Sequence, residues 1–275
     1  MVQVERTRRV SDEEQAWSVL LELAQRASQG RPELGESVAR SRPLDAAATQ
    51  LWSQFLPLVT GRDSAQLVVA HLGQSADGYA ATFCGKDKFI TGEEDIRYTH
   101  RMRALFDAVL VGASTVAIDD PMLTTRLVPG ESPVRVVLDP CARLRPDHQV
   151  FTDRGARTLV VTEPGRKTGL PDHVELLQVP RSVTGLDLEK LLDALRERGL
   201  SRIFIEGGAL TIAHFLRAKL LHRLQLAVAP VNLGPGPALP AHGLSPRTLL
   251  SLGRTRRFSL GRDTLFETEL RERAS

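Results

Sequence analysis

The stretch AVLVGASTVAIDDPMLTTR, residues 108–126, holds the features that decide the fold. Its first four residues are apolar and predict a strand that is buried on both faces. Gly112 then allows a tight turn, and a helix is predicted to begin directly after it. In open α/β sheets, ligands bind where the end of a strand meets the N-terminus of a helix. The stretch therefore predicts an α/β protein with a ligand site beside this turn.

Short runs rich in Val, Ile and Leu recur along the chain on both sides of this stretch. Helical patterns lie between several of them, at residues 93–106, 187–199 and 209–220. This alternation predicts a mostly parallel central sheet with helices on both faces, and the alternating tail at 256–270 predicts an antiparallel hairpin at one edge. The runs that we predict as strands are QLVVAHL (66–72), DAVLVG (107–112), VRVVLD (134–139), RTLVVT (157–162), VELLQV (174–179), RIFIEGG (202–208) and LQLAVAP (224–230).

The composition is that of a chain able to bury a full core. Of its 275 residues, 42% are hydrophobic and 25% are charged. No apolar run approaches the ~18 residues of a membrane span, and none follows the N-terminal arginines, so we expect neither a membrane protein nor a secreted one. The small net charge of +3 argues against nucleic-acid binding. The two cysteines lie outside any metal-binding pattern, so we expect reduced thiols, a cytoplasmic protein and no metal site.

The first 62 residues are predicted to form a helical N-terminal extension, ahead of an α/β domain at 63–275. Residues 11–28 combine an N-cap at Ser11 with an amphipathic helical period. A second helix is predicted from residue 45 to residue 56, ending before Pro57. We identify no chemistry in this section, so we expect it to pack on the main domain or on a partner subunit.

A second glycine turn follows the predicted strand RIFIE. Gly207 and Gly208 permit a ligand to approach the backbone closely, and Ala209, Leu210 and Thr211 begin the next helix. One such turn is ordinary architecture, but two on the same sheet favour a dinucleotide ligand. The first strand is not followed by GxGxxG, which disfavours a standard Rossmann domain.

Three acidic residues lie near the ends of predicted elements. Asp77, in SADG directly after the first strand, either forms an Asx-type turn or takes part in catalysis. Asp119 and Asp120 precede a proline near the end of a helix, where the helix dipole disfavours two acids. DDP either forms a turn that stops at the proline or, as we expect, uses both acids to bind hydroxyl or amino groups of a ligand. His100, on a predicted helix, is expected to be a surface or packing residue.

Five segments of the sequence occur in the order found in one family: SADG, FITGEE, RMRALFDAVLVGASTVAIDDPMLTTR, PVRVVLD and IFIEGGALTIAHFLRAKLLHRLQLAVAPVNLG. Over about residues 66–270, the chain resembles the reductase domain of the bifunctional deaminase/reductases of riboflavin biosynthesis. The zinc-binding pattern of their deaminase half, H-x-E with P-C-x-x-C, does not occur. The resemblance implies a dihydrofolate-reductase-like fold, a homodimer, and NADPH-dependent reduction of an aminopyrimidine ribosyl 5′-phosphate to the ribityl compound.

The resemblance also implies roles for individual residues. Leu123 and Arg126 would face the substrate, Arg103 would join Arg126 at its phosphate, and Glu206 would meet the pyrimidine. With the turns described above, the expected cofactor-binding residues are Gly73, Phe89, Gly112, Thr115, Asp119, Gly207, Gly208, Ala209, Leu210 and Thr211. The expected catalytic residues are His71, Asp77 and Glu206.

Two positions depart from the family's pattern. His71 stands where lysine is usual, and we expect it to contact the substrate and, unless a water does so, to supply the proton. Asp87, where serine is common, places a carboxylate near the expected substrate phosphate. It either pairs with Lys88 or an arginine, or binds a sugar hydroxyl of an unphosphorylated substrate.

Two alternative functions stay open on the residues alone. A pterin or folate reductase would need a Trp and an acid shortly after the first strand, and no Trp occurs there. A non-catalytic nucleotide-binding relative is disfavoured by the intact DDP and EGG motifs. For the cofactor's 2′-phosphate, Thr162, Arg166 and Lys167 form either a binding site or a solvated basic loop.

Overall fold

A computed structural model describes residues 13–29, 45–60, 66–82, 90–183, 185–234, 238–241 and 243–270. The chain divides into two compact units, Met1–Ala65 and Gln66–Ser275. In the first unit, α1 (Glu13–Ser28) and α2 (Ala46–Val59) pack against each other. The rings of Trp17 and Phe55 meet edge to face, with their centroids 5.8 Å apart. Ser11, the expected N-cap, lies outside the described residues.

Helix α2 does not end before Pro57, so that prediction was wrong. It begins after Asp45, whose side chain accepts the N–H of Ala48 at 2.7 Å, and continues through Pro57 to Val59. A proline inside a helix removes one backbone hydrogen bond. The loss is tolerated here because Pro57 lies in the last turn and the two residues after it, Leu58 and Val59, are buried. Burial of these two side chains offsets the missing hydrogen bond.

The second unit is built on a nine-stranded sheet. The strands of the unit are β1 (Leu67–Ser75), β2 (Tyr79–Thr82), β3 (Ala108–Gly112), β4 (Val134–Leu138), β5 (Thr158–Thr162), β6 (Glu175–Gln178), β7 (Arg181–Ser182), β8 (Gly185–Leu186), β9 (Arg202–Glu206), β10 (Arg223–Ala229), β11 (Ala238–Pro240), β12 (Gly253–Leu260) and β13 (Asp263–Leu270). Its helices are α3 (Glu93–Leu105), α4 (Ala113–Asp119), α5 (Gln149–Thr152), α6 (Leu188–Arg196), α7 (Ala209–Arg217) and α8 (Pro246–Leu252).

The sheet order is β12-β13-β10-β1-β9-β3-β4-β5-β6. The seven strands from β10 to β6 run parallel, and each corresponds to one of the apolar runs quoted above. Strands β13 and β12 add an antiparallel hairpin outside β10. The predicted sheet and the predicted edge hairpin are therefore confirmed. Two small antiparallel pairs, β2 with β11 and β7 with β8, lie outside the main sheet and were not predicted.

Helices cover both faces of the sheet. On one face, α6, α7 and α8 contribute Leu191, Phe215 and Leu249 to a continuous apolar core. Helix α3 lies on the opposite face, where its Tyr98 packs beside the ring of His71 in β1. Among the residues with described structure, no helix combines the length and apolar character of a membrane span.

A buried chain of hydrogen bonds joins α3 to the C-terminal hairpin. The side-chain amide of Gln225 in β10 donates to the Tyr98 hydroxyl and to the Glu267 carboxylate, both at 2.8 Å. Glu267 in β13 is 1% exposed and also accepts hydrogen bonds from Arg223 and Arg256. Because a slip of one residue would point Glu267 to the other face, this network specifies the register of the hairpin against β10.

Candidate functional site

The two glycine turns lie side by side at the carboxyl edge of the sheet. They follow β3 and β9, which are adjacent parallel strands. A Cβ atom on Gly112 would lie 2.6 Å from Oγ1 of Thr211, and one on Gly208 would lie 3.0 Å from Oγ1 of Thr115. Each turn therefore approaches a threonine at the start of the other turn's helix. Only glycine leaves room for this approach, so the two turns form one continuous surface.

The second turn also requires glycine for its backbone. Gly207 and Gly208 have φ values of 68° and 69°, in the left-handed region that side chains disfavour. Gly208 is the N-cap of α7, and no side chain caps this helix end. Ala209 and Thr211 lie in the first turn, and Leu210 beside them is exposed. The expected cofactor residues of both turns are thus brought together around the helix starts.

An ion pair between Arg103 and Glu206 lies at the end of β9. Nε of Arg103 donates to one carboxylate oxygen at 2.7 Å, and Nη2 donates to the other. Nη1 of Arg103 donates to the backbone oxygen of Thr124 at 2.8 Å. Three of the five N–H groups of this guanidinium are therefore engaged inside the protein. The sequence did not predict that Arg103 and Glu206 pair with each other.

Arg126 lies in the same cluster, held by its neighbours in α3 and in the loop before β4. Its Nη1 donates to Oγ1 of Thr124 at 2.7 Å. Its backbone N–H donates to Nδ1 of His100 at 3.0 Å. Leu123, expected to face the substrate, is 1% exposed and has a φ of 58°. Arg103, Arg126 and Glu206 thus gather at one end of α3, whereas the side chain of Leu123 is buried.

His100, which we expected to be a surface or packing residue, holds this loop in place. It is 3% exposed, and its Nδ1 accepts the backbone N–H of Arg126, so this nitrogen carries no proton. Burial, followed by the positive charges of Arg103 and Arg126, lowers the pKa of His100 to about 4. The spacing of His100 and Arg103, three residues apart on one helix, could have indicated that His100 belongs to this cluster, because it places both side chains on one face of α3.

The electrostatics of the cluster favour an anion. Burial lowers the pKa of Arg126, and the neighbouring charge of Arg103 lowers it further, while Glu206 opposes the shift. Two guanidinium groups thus lie close together, and Glu206 and Asp153 offset part of their charge. An added negative charge near Arg126 would relieve the repulsion between the two cations.

His71 points away from open solvent. Its ring is 3% exposed and lies between Tyr98 and Phe204, with Nε2 3.2 Å from Oδ1 of Asp95. Burial lowers the pKa of His71, but Asp95 and then Glu206 raise it by more, so the net shift is upward. Its backbone oxygen accepts the N–H of Gly207 at 3.0 Å. His71 is therefore a buried neighbour of the second turn, and its role in proton transfer stays a prediction.

Asp77 and Gly73, at the end of β1, both make contacts within the protein. The Asp77 carboxylate accepts the hydroxyl of Ser75 at 2.6 Å and the backbone N–H groups of Leu233 and Gly234 at 3.1 and 2.7 Å. The hydrogen bond from Ser75 is the largest cause of a lowered pKa of Asp77. These contacts agree with the turn interpretation of SADG. Gly73 packs under Thr91, whose Cγ2 would lie 3.0 Å from an added Cβ.

The two acids of DDP have different surroundings. Asp120 is left-handed, with a φ of 43°, and its carboxylate accepts the backbone N–H of Gln149 at 2.8 Å and contacts His148 at 3.3 Å. Asp120 thus joins the end of α4 to the start of α5, and its expected role toward a ligand stays a prediction. Asp119 is exposed at the end of α4. Its role toward a cofactor stays a prediction.

Two expected site residues, Asp87 and Phe89, lie outside the described residues, as does Lys88. Within the described ranges, no group of three or more His, Cys, Asp or Glu residues is arranged to hold a metal ion. In the described residues, the candidate site has two parts: the glycine turns and the Arg103–Glu206–Arg126 cluster.

Comparison with known proteins shows the family of the chain. Residues 66–265 match the family model described as the RibD C-terminal domain. The chain belongs to this family. It is 33% identical over 210 residues to the 2,5-diamino-6-ribosylamino-4(3H)-pyrimidinone 5′-phosphate reductase of Methanothermobacter thermautotrophicus, a match that covers 73% of this chain and 96% of that protein. The resemblance drawn from the five sequence segments is thereby confirmed.

Solved structures of the family have the same fold. A deaminase/5-amino-6-(5-phosphoribosylamino)uracil reductase from Thermotoga maritima superposes with a TM-score of 0.61 at 27% identity, covering 86% of this chain and 67% of that one. The riboflavin biosynthesis reductase of Saccharomyces cerevisiae superposes with a TM-score of 0.64 at 23% identity, covering 80% and 97%. The predicted dihydrofolate-reductase-like architecture, a mostly parallel sheet with a C-terminal antiparallel hairpin, is confirmed.

The family also contains longer chains. The riboflavin biosynthesis protein RibD of Aquifex aeolicus is 35% identical over 164 residues, which cover 59% of this chain but 46% of that protein. This chain therefore spans about half the length of the RibD proteins that it matches. The family match begins at residue 66, where the second compact unit also begins.

Proposed function

We propose that this protein is an NADPH-dependent reductase that converts the ribosyl group of an aminopyrimidine ribosyl 5′-phosphate to a ribityl group. The observation that carries the proposal is the placement of two sites at one sheet edge. The paired glycine turns accept a dinucleotide backbone, and the Arg103–Glu206–Arg126 cluster beside them accepts a phosphorylated polar substrate. The activities for which the relatives are named support this substrate class.

The glycine turns fit a nicotinamide dinucleotide. A Cβ at Gly112 or at Gly208 would fill the space between the turns, and the start of α7 directs backbone N–H groups outward. Phosphates bind such helix starts because the N–H groups and the helix dipole both favour negative charge. Gly208, Ala209 and Thr211 would therefore hold the pyrophosphate, with Thr115 beside them. The bound cofactor supplies a hydride, and the protein supplies binding and orientation.

On the substrate side, we assign different roles to Arg103 and Arg126. Arg103 is committed to Glu206 and to the backbone of Thr124, so we assign it to positioning. Within the described residues, the side chain of Arg126 donates one hydrogen bond, to Thr124, and we assign it to the substrate phosphate. A planar guanidinium suits this role because it donates two parallel hydrogen bonds to a phosphate. Glu206, held by Arg103, keeps acceptor positions for amino groups of the pyrimidine.

The proton that completes the reduction comes from His71 or from a water in this proposal. His71 lies on β1 directly opposite Glu206 on β9, and its raised pKa favours the protonated form. We further expect a homodimer, as the family resemblance implies, and a cytoplasmic protein, as the two reduced thiols imply. The substrate itself is the one small-molecule partner of the proposal.

One assay tests the proposal. We would follow NADPH oxidation with the phosphorylated ribosylaminopyrimidine, with its dephosphorylated nucleoside and with a dihydropterin, and identify products by the mass gain of two hydrogens. The phosphorylated pyrimidine should be the best substrate, and Arg126→Ala should lower its kcat/KM by about tenfold or more through the lost charge-assisted contact. Arg154→Ala, an exposed arginine after α5, is the matched control.

Two results would contradict the proposal. Activity that is indifferent both to the phosphate and to Arg126 would reject the phosphorylated substrate. Faster turnover of the pterin would assign the chain to the pterin alternative, and no turnover of any substrate with intact NADPH binding would identify a non-catalytic nucleotide-binding protein.

A further inference from the structure

Helix α3 begins with three acidic residues, and one of them is buried. Glu93 and Glu94 are exposed, whereas Asp95 is 3% exposed. Oδ1 of Asp95 lies 3.2 Å from Nε2 of His71 and has no hydrogen bond to any other group within the described residues. A buried carboxylate without a cation costs much free energy, because it has lost its hydration. The protonated ring of His71 is the cation that balances Asp95.

A second hydrogen-bond acceptor meets the ring from β10. Gln225 lies opposite His71 in the register of β10 with β1, and the N–H groups of its side-chain amide are used by the Tyr98 hydroxyl and by Glu267. Its Oε1 is buried and, like Nδ1 of His71, has no hydrogen bond within the described residues. A neutral imidazole has one N–H group, whereas the imidazolium has two. Only the charged ring has a donor for the carboxylate and another for the amide oxygen.

The groups around the ring favour its charged form. Asp95 and Tyr98 face it from α3, and Phe204 and Glu206 face it from β9. Burial lowers the pKa of His71, but Asp95 raises it through its charge and its hydrogen bond, and Glu206 and then the amide on β10 add to this rise. Asp95 is therefore the main cause of the net upward shift.

The second carboxylate near the ring, Glu206, is already balanced by another cation. Both of its oxygens accept hydrogen bonds from Arg103. Its side chain is 19% exposed, whereas that of Asp95 is 4% exposed. The ring of His71 thus lies between a deeply buried carboxylate, which depends on it for charge balance, and a carboxylate of the candidate site, which does not.

We propose that Asp95 is a positioning residue, which holds His71 protonated and fixed in orientation beside Glu206, so that the charged ring is the active form at neutral pH. This role rests on the proposed function, and it makes His71, rather than a water, the source of the proton. In the reduction, C1′ of the open-chain imine gains a hydride from NADPH, which leaves as NADP+, and the imine nitrogen gains one proton. A ring that Asp95 keeps charged has this proton before the substrate binds, and it regains one from water after turnover.

Nuclear magnetic resonance tests the pairing without substrate or cofactor. The full chain is labelled with ¹³C at Cε1 of its histidines, and the spectrum of His71→Asn identifies the signal of His71. We expect the wild-type ring to titrate above the ordinary value of about 6.5. In Asp95→Asn the midpoint should fall by about one pH unit or more, because a close opposite charge is lost. Asp193→Asn, which removes an exposed carboxylate paired with Arg196, is the matched control and should leave the midpoint unchanged.

The pH profile of kcat tests whether the reaction uses this charge. With NADPH and a phosphorylated ribosylaminopyrimidine, the alkaline limb of Asp95→Asn should move to lower pH by the same amount as the midpoint. Its kcat should fall about tenfold above the limb and stay within about threefold of the wild type below it, with less than about a twofold change in KM. A merely structural loss would lower kcat equally at every pH. Adding Asp95→Asn to His71→Asn should leave the profile of His71→Asn unchanged, because Asp95 acts through the ring.

Three outcomes overturn the inference and leave the reductase proposal intact. The first is a wild-type His71 that titrates at or below about 6.5, a result that decides the question even if Asp95→Asn fails to fold. The second is a midpoint that does not fall in Asp95→Asn, and the third is a kcat limb that stays in place while the midpoint falls. If the midpoint depends on Asp95 but no pyrimidine is reduced, the pairing stands and the proposed function fails.

Discussion

Arg103 and Glu206 form a two-point ion pair that fastens the C-terminal end of α3 to the end of β9. The two side chains are 8% and 19% exposed. An ion pair with so little access to water costs much desolvation free energy, and breaking it leaves one charge without a partner. The pair therefore acts mainly through geometry: it fixes the position of the Glu206 carboxylate and occupies the guanidinium of Arg103.

We expect the two residues to be energetically coupled. Arg103→Met and Glu206→Gln should each lower the free energy of unfolding by about 3 kcal/mol, whereas the double variant should lose clearly less than the sum. Urea unfolding of the four proteins gives the coupling free energy. Arg196→Ala, which breaks an exposed pair with Asp193, is the control and should change stability by less than about 0.5 kcal/mol. Additive effects of the two single changes would disprove the coupling.

A methyl group on Gly208 should weaken cofactor binding more than it weakens the fold. Gly208 and Gly199 have similar φ values, 69° and 76°, so alanine at either position costs about 1 kcal/mol of stability. Only at Gly208 does the added Cβ enter the space between the turns, because nothing lies within 4 Å of it at Gly199. Calorimetric titration should show weakened NADPH binding in Gly208→Ala alone. Equal NADPH affinity in Gly208→Ala and Gly199→Ala would show that the second turn is not part of the cofactor site.

The contact between the turns predicts a rescue. In Gly112→Ala, the new Cβ would lie 2.6 Å from Oγ1 of Thr211, closer than van der Waals contact allows. The variant should lose about 1 to 3 kcal/mol of stability through overpacking. Adding Thr211→Ala removes that oxygen and should recover most of the loss in thermal unfolding. A double variant as unstable as Gly112→Ala would show that the strain lies elsewhere.

We expect low pH to destabilise the protein through His100, which holds the loop that carries Arg126. The folded pKa of His100 is about 4, below the unfolded value of about 6.5, so the unfolded chain binds protons more readily. The contribution of neutral His100 is thus complete above pH 6.5 and is lost as the pH falls toward 4, to a total on the order of 3 kcal/mol.

His100→Asn provides the matched comparison for this pH dependence. Asparagine keeps an acceptor close to the position of Nδ1 but does not titrate. The difference in unfolding free energy between the wild type and His100→Asn should therefore change between pH 6.5 and 4, to the disadvantage of the wild type at low pH. A difference that is constant over this range would mean that His100 keeps its ordinary pKa.

His71 should show the opposite dependence. Its folded pKa is raised, so its favourable contribution is complete below the unfolded value of about 6.5 and is lost as the pH rises through the folded pKa. Unfolding free energies of the wild type and His71→Asn should converge as the pH rises. If His71 also donates the proton, the pH profile of kcat should have a limb above pH 6.5 that is absent in His71→Asn. If the pH profile of kcat is the same in the wild type and in His71→Asn, His71 has a structural role and does not donate the proton.

The sheet was predictable because its signals are local. Seven apolar runs identify the parallel strands, and parallel strands bring their carboxyl ends to one edge, so both glycine turns were expected at that edge. The position of β9 next to β3, which brings the two turns into contact, joins strands far apart in the sequence and was not predictable from their order along the chain. The extension of α2 through Pro57 was missed because the burial of Leu58 and Val59, a tertiary effect, outweighs the local penalty.

The internal contacts of the site were not predictable from the residues alone. No pattern near Arg103 in the sequence indicates that it pairs with Glu206, which is more than a hundred positions away. From the sequence, both residues were assigned to the substrate. The structural role of Asp120 depends on a left-handed backbone and on Gln149 in another helix, which no local pattern reports. Polar residues at a strand end look alike in sequence, whether they bind a ligand or each other.

The position of β1 in the middle of the sheet has a consequence for how the chain reaches its native state. Its neighbours on both sides, β9 and β10, lie in the last third of the chain. During synthesis, β1 therefore emerges long before either strand that covers its edges. Pairings between distant segments close slowly, and unpaired strand edges invite association with other chains. Aggregation of nascent or C-terminally truncated chains, more than loss of any active-site contact, is thus the failure to which this architecture is most exposed.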